Sequence, residues 1–235
     1  MRSEEHLWEL TEKQGDEQSF FLLEQFVPGD VYHVDSIVWG GAVVFAVAFK
    51  YGRPPMEISH EGGLFITRRL PDDSEEGRAL LEMNRRLQEG LGLRRGVSHT
   101  EFIRAEGAGG AFVFLETSAR VGGAFIVDTI DAATGINLWR EWAKVEIAGE
   151  QGTYAVPAHR DEYAGIVLTL ARQEAPDMSA YTDREIVRTI RKDHHAGLIV
   201  SSPEPRRVES LIAGYTQRFY HDFFATAPPP ERPVE

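Results

Sequence analysis

The sequence predicts an α+β fold, in which an antiparallel sheet is flanked by helices and is followed by a small α+β subdomain. Apolar and polar residues alternate over 31–38, and Gly40-Gly41 then leads into the apolar segment 42–51, a pattern typical of a β-hairpin. A second pair of alternating segments, 97–103 and 111–120, is joined by a glycine-rich turn. Amphipathic helical patterns separate these strands and close the chain.

Composition sets limits on the function. The chain has 235 residues, of which 42% are hydrophobic, as in an ordinary globular protein. Its 37 acids against 25 bases give a formal charge of −12, which argues against a general nucleic-acid surface and against an anionic membrane surface. Without cysteine there are no disulfides, and the acidic N-terminus lacks the features of a signal peptide. We expect a soluble, cytoplasmic protein with neither nucleic acid nor a membrane as partner.

The N-terminal half contains two predicted helices around the strands. Ser3 begins a short helix that runs to about Lys13, and 20–27 is an apolar run of strand length that ends at Pro28-Gly29. A short strand is predicted over 64–67. Ser74, followed by acids at the positive end of the helix dipole, begins a helix that ends near Gly90 and Gly92. Its predicted buried stripe is Leu80, Met83, Leu87 and Leu91.

The C-terminal half is predicted to alternate helices and strands. A composition shift at 149–157 suggests three parts: residues 1–149, a small α+β subdomain over 150–226, and a disordered tail over 227–235 with four prolines. The predicted elements are helices over 124–133 and 137–147, the second packing two tryptophans, then a strand over 163–170, a helix over 183–192, a strand over 197–202 and a helix over 208–224.

The second strand pair brings two carboxylates together. His99 and Glu101 share a face, and an antiparallel register sets Glu116 opposite Glu101 or one diagonal step away, with about 5 to 8 Å between Cβ atoms. If 111–120 is extended throughout, one face carries Phe112, Phe114, Glu116, Ser118 and Arg120. Like charges so placed destabilise a sheet unless a cation lies between them.

A hard divalent cation such as magnesium suits two carboxylates, and Arg120 would supply a planar fork for phosphate. The alternative is that Glu101 and Glu116 are solvated acids near strand ends.

Other motifs are weaker indications of a functional site. Adjacent His194 and His195 point to opposite faces of an extended segment, so they are expected to be structural or exposed. The sequence has no phosphate loop with a lysine at the usual spacing.

The combination of these segments resembles the ATP-grasp superfamily, and within it the C-terminal part of the ATP-grasp fold in carbamoyl-phosphate-synthase-like carboxylate–amine ligases. The resemblance begins at Leu22-Leu23-Glu24-Gln25-Phe26-Val27-Pro28-Gly29, which is similar to the family's linker between lobes. It continues through Val34-Asp35-Ser36 to Leu115-Glu116-Thr117-Ser118-Ala119-Arg120, and it covers roughly 20–147.

The resemblance implies ATP and Mg²⁺ as cofactors, with Mn²⁺ as a substitute, and small-molecule carboxylate and amine substrates joined through an acyl phosphate. Adenine would be bound by the backbone of Gln25 and Val27, with Glu24 at the same linker. Asp35 is a weaker match to a nucleotide-binding position, and His99 is weaker too. The implied magnesium ligands are Glu101, Glu116 and Ser118, and Arg120 would steady the transferring phosphoryl group.

Two departures from the family pattern matter. Ser118 stands where the family usually has asparagine, and a single hydroxyl is the weaker ligand. In addition, only 19 residues precede Phe20, too few for the family's lysine-bearing N-terminal lobe. The expectation is therefore a part of a longer enzyme, a chain completed by a partner or acting as a homodimer, or a non-catalytic nucleotide-binding or regulatory module that keeps the scaffold.

Overall fold

A computed structural model describes residues 3–14, 22–107 and 109–226, except for the side chains of 14 and 59–61. The chain divides into two compact units, Met1–Val27 with Pro229–Glu235, and Pro28–Pro228. The first unit contains helix α1 (Glu4–Gln14), which confirms the predicted N-terminal helix. The apolar run is not a strand over 22–27, where no other described segment pairs with it and Leu22 and Phe26 are more than four-fifths exposed. Residues 20, 21 and 227–235 lie outside the described residues.

The second unit is built on one antiparallel sheet. In the part of the chain that the structure describes, the sheet has eight strands in the order β5-β4-β1-β2-β3-β6-β8-β7. The strands are β1 (Gly29–Trp39), β2 (Ala42–Tyr51), β3 (Phe65–Arg69), β4 (Arg95–Ala105), β5 (Phe112–Ser118), β6 (Tyr163–Leu170), β7 (Ile186–Lys192) and β8 (His195–Ser202). Both predicted hairpins are confirmed. The subdomain boundary near 149 stays a prediction, and strands from both sides of it pair in this sheet through β3 and β6.

Helices cover both faces of the sheet. Helices α3 (Glu75–Leu91) and α6 (Pro205–Asp222) pack on one face, hereafter the α3 face. Helices α4 (Ile126–Thr134) and α5 (Leu138–Ala148) pack on the other, hereafter the α4 face. The short helix α2 (Pro55–Glu61) connects β2 to β3. None of the helices in the described part of the chain is long and apolar enough to cross a membrane.

The face that α3 buries is partly polar, which corrects the predicted apolar stripe. Leu80 is fully buried, but Leu91 is 59% exposed in the last helical position before the cap residue Gly92. The sheet presents hydroxyl groups to the C-terminal turns of the helix, so amide side chains occupy the buried positions there. Asn84 Nδ2 donates to Ser36 Oγ at 2.6 Å, and Gln88 Nε2 donates to Thr100 Oγ1 at 3.0 Å.

The helix predicted over 183–192 is wrong, because 186–192 is strand β7. Its β-branched residues favour an extended chain. The two-residue turn at Asp193 and His194, where His194 has φ 55°, returns the chain directly to β8. Ile190 is buried and its neighbours Thr189 and Arg191 are not, as expected for side chains that alternate between faces. The helix predicted over 137–147, which was expected to pack two tryptophans, is confirmed as α5, although Trp139 is 60% exposed.

A buried polar cluster lies on the α4 face and joins strands β1, β3 and β4. It consists of His33, Asp35, Thr67 and His99, of which the first three are fully buried. His33 Nδ1 lies 2.7 Å from Asp35 Oδ2, His99 Nδ1 lies 2.9 Å from Asp35 Oδ1, and His33 Nε2 lies 2.8 Å from Thr67 Oγ1. The carboxylate of Asp35 thus accepts a hydrogen bond from each of two imidazoles.

These contacts shift the pKa values in opposite directions. Burial alone would raise the pKa of Asp35, but His99 and His33 outweigh it and hold that pKa well below its usual range. Burial lowers the pKa of His33, so this imidazole is neutral and carries its proton on Nδ1, facing Asp35. For His99, burial is outweighed by Asp35 and Glu101, which raise its pKa to about 10. Asp35 and His99 therefore form a buried ion pair.

Replacing Leu80 by alanine is expected to lower the free energy of unfolding by about 2 to 5 kcal/mol, because it opens a cavity between α3 and the sheet. Urea denaturation monitored by circular dichroism measures this. Leu91→Ala, in the same helix but exposed, serves as the matched control and should change stability by less than about 0.5 kcal/mol. Equal losses in the two variants would contradict this description of the buried face.

Stability is also expected to depend on the proton of His99. The native pKa is raised to about 10, above the unfolded value of about 6.5, so the stabilisation is complete below pH 6.5 and is lost as the pH rises towards 10. Urea denaturation between pH 6.5 and 9.5 should show a decline in the wild type that is steeper than in His99→Gln by up to about 1.4 kcal/mol per pH unit. His221→Gln, at a histidine whose side chain is 89% exposed, should keep the wild-type slope. Parallel slopes for wild type and His99→Gln would refute the prediction.

Candidate functional site

The two carboxylates predicted to meet do stand opposite each other. In the pairing of β4 with β5, Glu101 is the partner of Glu116, which is the closer of the two registers that the sequence allowed. Both side chains lie on the α4 face, since Glu101 also pairs with His33 of β1. Strand β5 is the edge strand of the sheet, so the acid pair lies at its border.

A β-bulge between Glu101 and Phe102 changes the rest of the predicted face. Phe102 pairs with Phe114, and Arg104 pairs with Phe112, so both of these phenylalanines lie on the α3 face. There Phe114 packs against Phe102, with ring centroids 6.4 Å apart. The prediction that Phe112 and Phe114 share a face with Glu116 is therefore wrong, because the extra residue reverses the alternation. The bulge leaves the acids on one side and the aromatic rings on the other.

One oxygen of Glu101 is held firmly. The Tyr51 hydroxyl donates to Oε1 at 2.7 Å, and His99 Nε2 lies 3.4 Å from the same oxygen. The described residues offer no hydrogen bond to Oε2. The side chain is only 13% exposed, and burial alone would raise its pKa, but the bonds from His99 and Tyr51 outweigh burial and lower the pKa of Glu101. The carboxylate is therefore ionised at neutral pH, with one oxygen available.

The other members of the predicted site are more open. Glu116 is exposed, and no described residue gives it a hydrogen bond or an ion pair. Ser118, half-buried, pairs with His99 across the strands. Arg120 is exposed, and its Nη1 donates to the carbonyl of Val121 at 2.9 Å, while no described carboxylate pairs with it. The guanidinium keeps most of its donors for another partner.

This donor set suits a hard divalent cation. Two carboxylates and a hydroxyl offer only oxygen atoms, which magnesium and manganese prefer. His99 is the cation nearest to Glu101 among the described residues, and it approaches Oε1 rather than Oε2. Because His99 also pairs with Asp35, one imidazolium is shared by two carboxylates, and Glu116 has no described partner; a bound cation would compensate the remaining negative charge.

The chain after Arg120 closes over the buried polar cluster. At Gly122, a Cβ would lie 3.0 Å from His99 Nδ1 and 2.9 Å from the side chain of Ile126, so only glycine fits without displacement. Ala124 and Phe125 then both adopt positive φ, 47° and 62°, before α4 begins. Such strained residues often accompany functional sites. The turn thus passes close to the His99 ring at Gly122, and Asp35 accepts a hydrogen bond from the same ring.

Asp35 is fully buried, and both of its oxygens accept hydrogen bonds from histidines, so it supports His99. Its assignment to nucleotide binding stays a prediction. Glu24, Gln25 and Val27 belong to the other unit of the chain, and their assignment to adenine stays a prediction. Sequence reasoning missed Tyr51 and Thr67. The alternation of His33 with Asp35 was a signal that could have placed His33 beside His99.

The buried histidines are better described as a hydrogen-bonded cluster than as a metal site. Ligand atoms of His33, Asp35 and His99 all lie within 4.8 Å of one another. However, the nitrogen-to-oxygen distances of 2.7 and 2.9 Å are those of hydrogen bonds, whereas ligands around a tetrahedral ion stand about 3.3 Å apart. A proton on each Nδ1 accounts for the arrangement.

Comparison with known proteins supports the fold. No protein-family model and no curated protein sequence matches this chain. Among solved structures, L-amino acid ligase from Bacillus licheniformis is similar with a TM-score of 0.60 and 16% identity, over 86% of this chain and 54% of that one. N5-carboxyaminoimidazole ribonucleotide synthetase from Thermus thermophilus matches with a TM-score of 0.59 and 14% identity, over 87% and 54% of the two chains.

A third similar structure contains the nucleotide. It is carboxyaminoimidazole ribonucleotide synthase from Aspergillus clavatus complexed with ATP, with a TM-score of 0.59 and 10% identity, over 85% of this chain and 52% of that one. The chain thus spans about half the length of these structures. The described residues adopt the fold of ATP-grasp ligases, as the sequence resemblance implied.

Proposed function

We propose that this chain belongs to an ATP-dependent ligase that joins a small-molecule carboxylate to an amine through an acyl phosphate. The observation that carries the proposal is the acid pair, in which Glu101 stands opposite Glu116 with an unbonded oxygen, on a fold shared with ATP-grasp ligases. The complete activity is proposed for an assembly that also contains a phosphate-binding lobe, because the chain spans about half of the similar structures.

The residues have distinct proposed roles. Magnesium would be held by Glu101 through Oε2, by Glu116 and, more weakly, by the hydroxyl of Ser118. When bound, the cation neutralises charge on the phosphate oxygens of ATP. Arg120 would bind the transferring phosphoryl group, since its planar fork matches phosphate in two hydrogen bonds. Glu24, Gln25 and Val27 are proposed to bind adenine.

Phosphoryl transfer needs little covalent chemistry from the protein. A substrate carboxylate oxygen attacks the γ-phosphorus of ATP, the bond to the β,γ-bridging oxygen breaks, and ADP leaves. The amine then attacks the acyl carbon, a proton is lost from nitrogen, and phosphate departs. The contribution of this chain is to orient the phosphates and to stabilise the negative charge that develops on them.

Replacing Glu116 by glutamine is expected to raise the dissociation constant of ATP in the presence of Mg²⁺ about tenfold or more, because one of two charged ligands is lost. Isothermal titration calorimetry with the full chain, in Mg²⁺ and again in EDTA, measures this. The EDTA titration should show weaker binding by the wild type and little further loss in the variant.

The matched control is Glu106→Gln, which removes an exposed acid from the turn of the same hairpin and should leave ATP binding unchanged. The proposal fails if wild type and Glu116→Gln bind ATP equally well in Mg²⁺, or if wild-type binding is the same with and without the cation.

A further inference from the structure

The geometry points to Tyr51 and His99 as positioning residues that hold Oε1 of Glu101 and so present Oε2, and not Oε1, to a bound divalent cation. This inference rests on the proposed function, in which Glu101 is a cation ligand. It adds two residues that act through Glu101 and touch neither the cation nor the nucleotide. Their effect would be on how tightly the cation is bound.

Tyr51 is fixed before it reaches Glu101. It is the last residue of β2, it is 4% exposed, and its ring packs on His33 and on Phe65, with centroid distances of 4.7 and 5.8 Å. Its hydroxyl then lies 2.7 Å from Glu101 Oε1, a short hydrogen bond from a neutral donor to a carboxylate. Because the ring cannot turn away, the direction of this bond is set by packing.

His99 provides the second restraint on the same oxygen. Its Nδ1 donates to Asp35, which is itself bonded to His33, and His33 is bonded to Thr67. This chain of bonds fixes the plane of the His99 ring, and the chain passes close to the ring at Gly122, where an added Cβ would lie 3.0 Å from Nδ1. The Nε2 atom consequently lies 3.4 Å from Oε1 of Glu101, in an ion-pair contact, and 3.5 Å from the Tyr51 hydroxyl.

A hydrogen bond from Tyr51 and an ion-pair contact from His99, both to the same oxygen, restrain the orientation of the Glu101 carboxylate. With Oε1 shared by Tyr51 and His99, rotation about the last side-chain bond of Glu101 would break both contacts. Oε2 is then the oxygen of Glu101 that has no hydrogen-bond partner among the described residues. Groups that orient a metal ligand in this way typically change metal affinity by about 10 to 100 times when they are removed.

The decisive variant is Tyr51→Phe, which keeps the packed ring and removes only the hydroxyl. Titration of the full chain with Mn²⁺ alone, followed by electron paramagnetic resonance of the free ion, should show affinity weakened about tenfold. Tyr154→Phe is the matched control. Its hydroxyl donates to Glu141 Oε2 at 3.0 Å on helix α5, so it removes the same kind of bond from a glutamate outside the site and should leave Mn²⁺ affinity unchanged.

Two substitutions of His99 provide a test that does not depend on Tyr51. Glutamine can place its amide nitrogen near the former Nε2 and keep a donor to Glu101, whereas asparagine reaches only the Nδ1 position facing Asp35. We expect His99→Gln to bind Mn²⁺ more tightly than His99→Asn. If His99 acted through packing alone, His99→Gln, which loses the hydrogen bond to Asp35, would not bind Mn²⁺ more tightly than His99→Asn.

Glu101→Gln separates this inference from the function on which it rests. Loss of Mn²⁺ binding in Glu101→Gln with wild-type affinity in Tyr51→Phe would overturn the positioning role and leave the proposed function standing. Equal losses in Tyr51→Phe and Tyr154→Phe would overturn it as well. Wild-type Mn²⁺ affinity in Glu101→Gln would instead remove Glu101 as a ligand, and with it the cation site as proposed.

Discussion

The buried carboxylate of Asp35 is the group on which the arrangement of the site depends. A charge removed from water is very costly unless it is paired and hydrogen-bonded, and Asp35 meets that requirement with two imidazoles, one on its own strand and one on β4. The bonds fix the tautomer of His33 and the ring of His99. Strands β1, β3 and β4 are thereby joined by directional contacts in addition to the sheet ladder.

From the buried polar cluster to the edge of the sheet, the carboxylates have progressively fewer hydrogen-bond partners. Every polar atom of the Asp35 carboxylate has a partner, Glu101 has one oxygen bonded, and Glu116 is exposed without a described partner. The bulge after Glu101 sharpens the division, since it sends Phe112 and Phe114 to the other face. The result is a polar sheet edge in which Glu101 is held by hydrogen-bonded residues while Glu116 is free to bind another group, an arrangement that suits the proposed binding of a cation.

Much of this could be predicted from the sequence, because strand alternation and glycine turns are local signals. They predicted the two hairpins, and they placed Glu116 either directly opposite Glu101, as the structure shows, or one diagonal step away. The bulge could not be predicted from the sequence, since nothing in 111–118 distinguishes a regular strand from one with an extra residue. Tyr51 was missed for a different reason: its partner Glu101 is 50 residues away, and only the folded sheet brings the two together.

The failures elsewhere have equally physical causes. Over 183–192, Asp183 at the start suggested a helix, but a two-residue turn and the neighbouring strand β8 determined that 186–192 is a strand. At Leu91, apolarity suggested burial, but the last turns of α3 bury amides because the sheet there presents hydroxyls. In both cases a tertiary partner, absent from a local pattern, determined the structure.

The amides of α3 have a consequence for how this helix can sit. Apolar contacts change little when a helix rotates slightly about its axis, whereas a hydrogen bond is lost after a small angular error. Gln88 of α3 donates a hydrogen bond to Thr100, which directly precedes Glu101. Thr100 in turn lies 2.8 Å from Thr117, which directly follows Glu116, so hydrogen bonds connect the helix to the neighbours of both acids. A rotation of α3 would have to break these bonds. The positions of the two acids therefore depend on a helix that packs on the opposite face of the sheet.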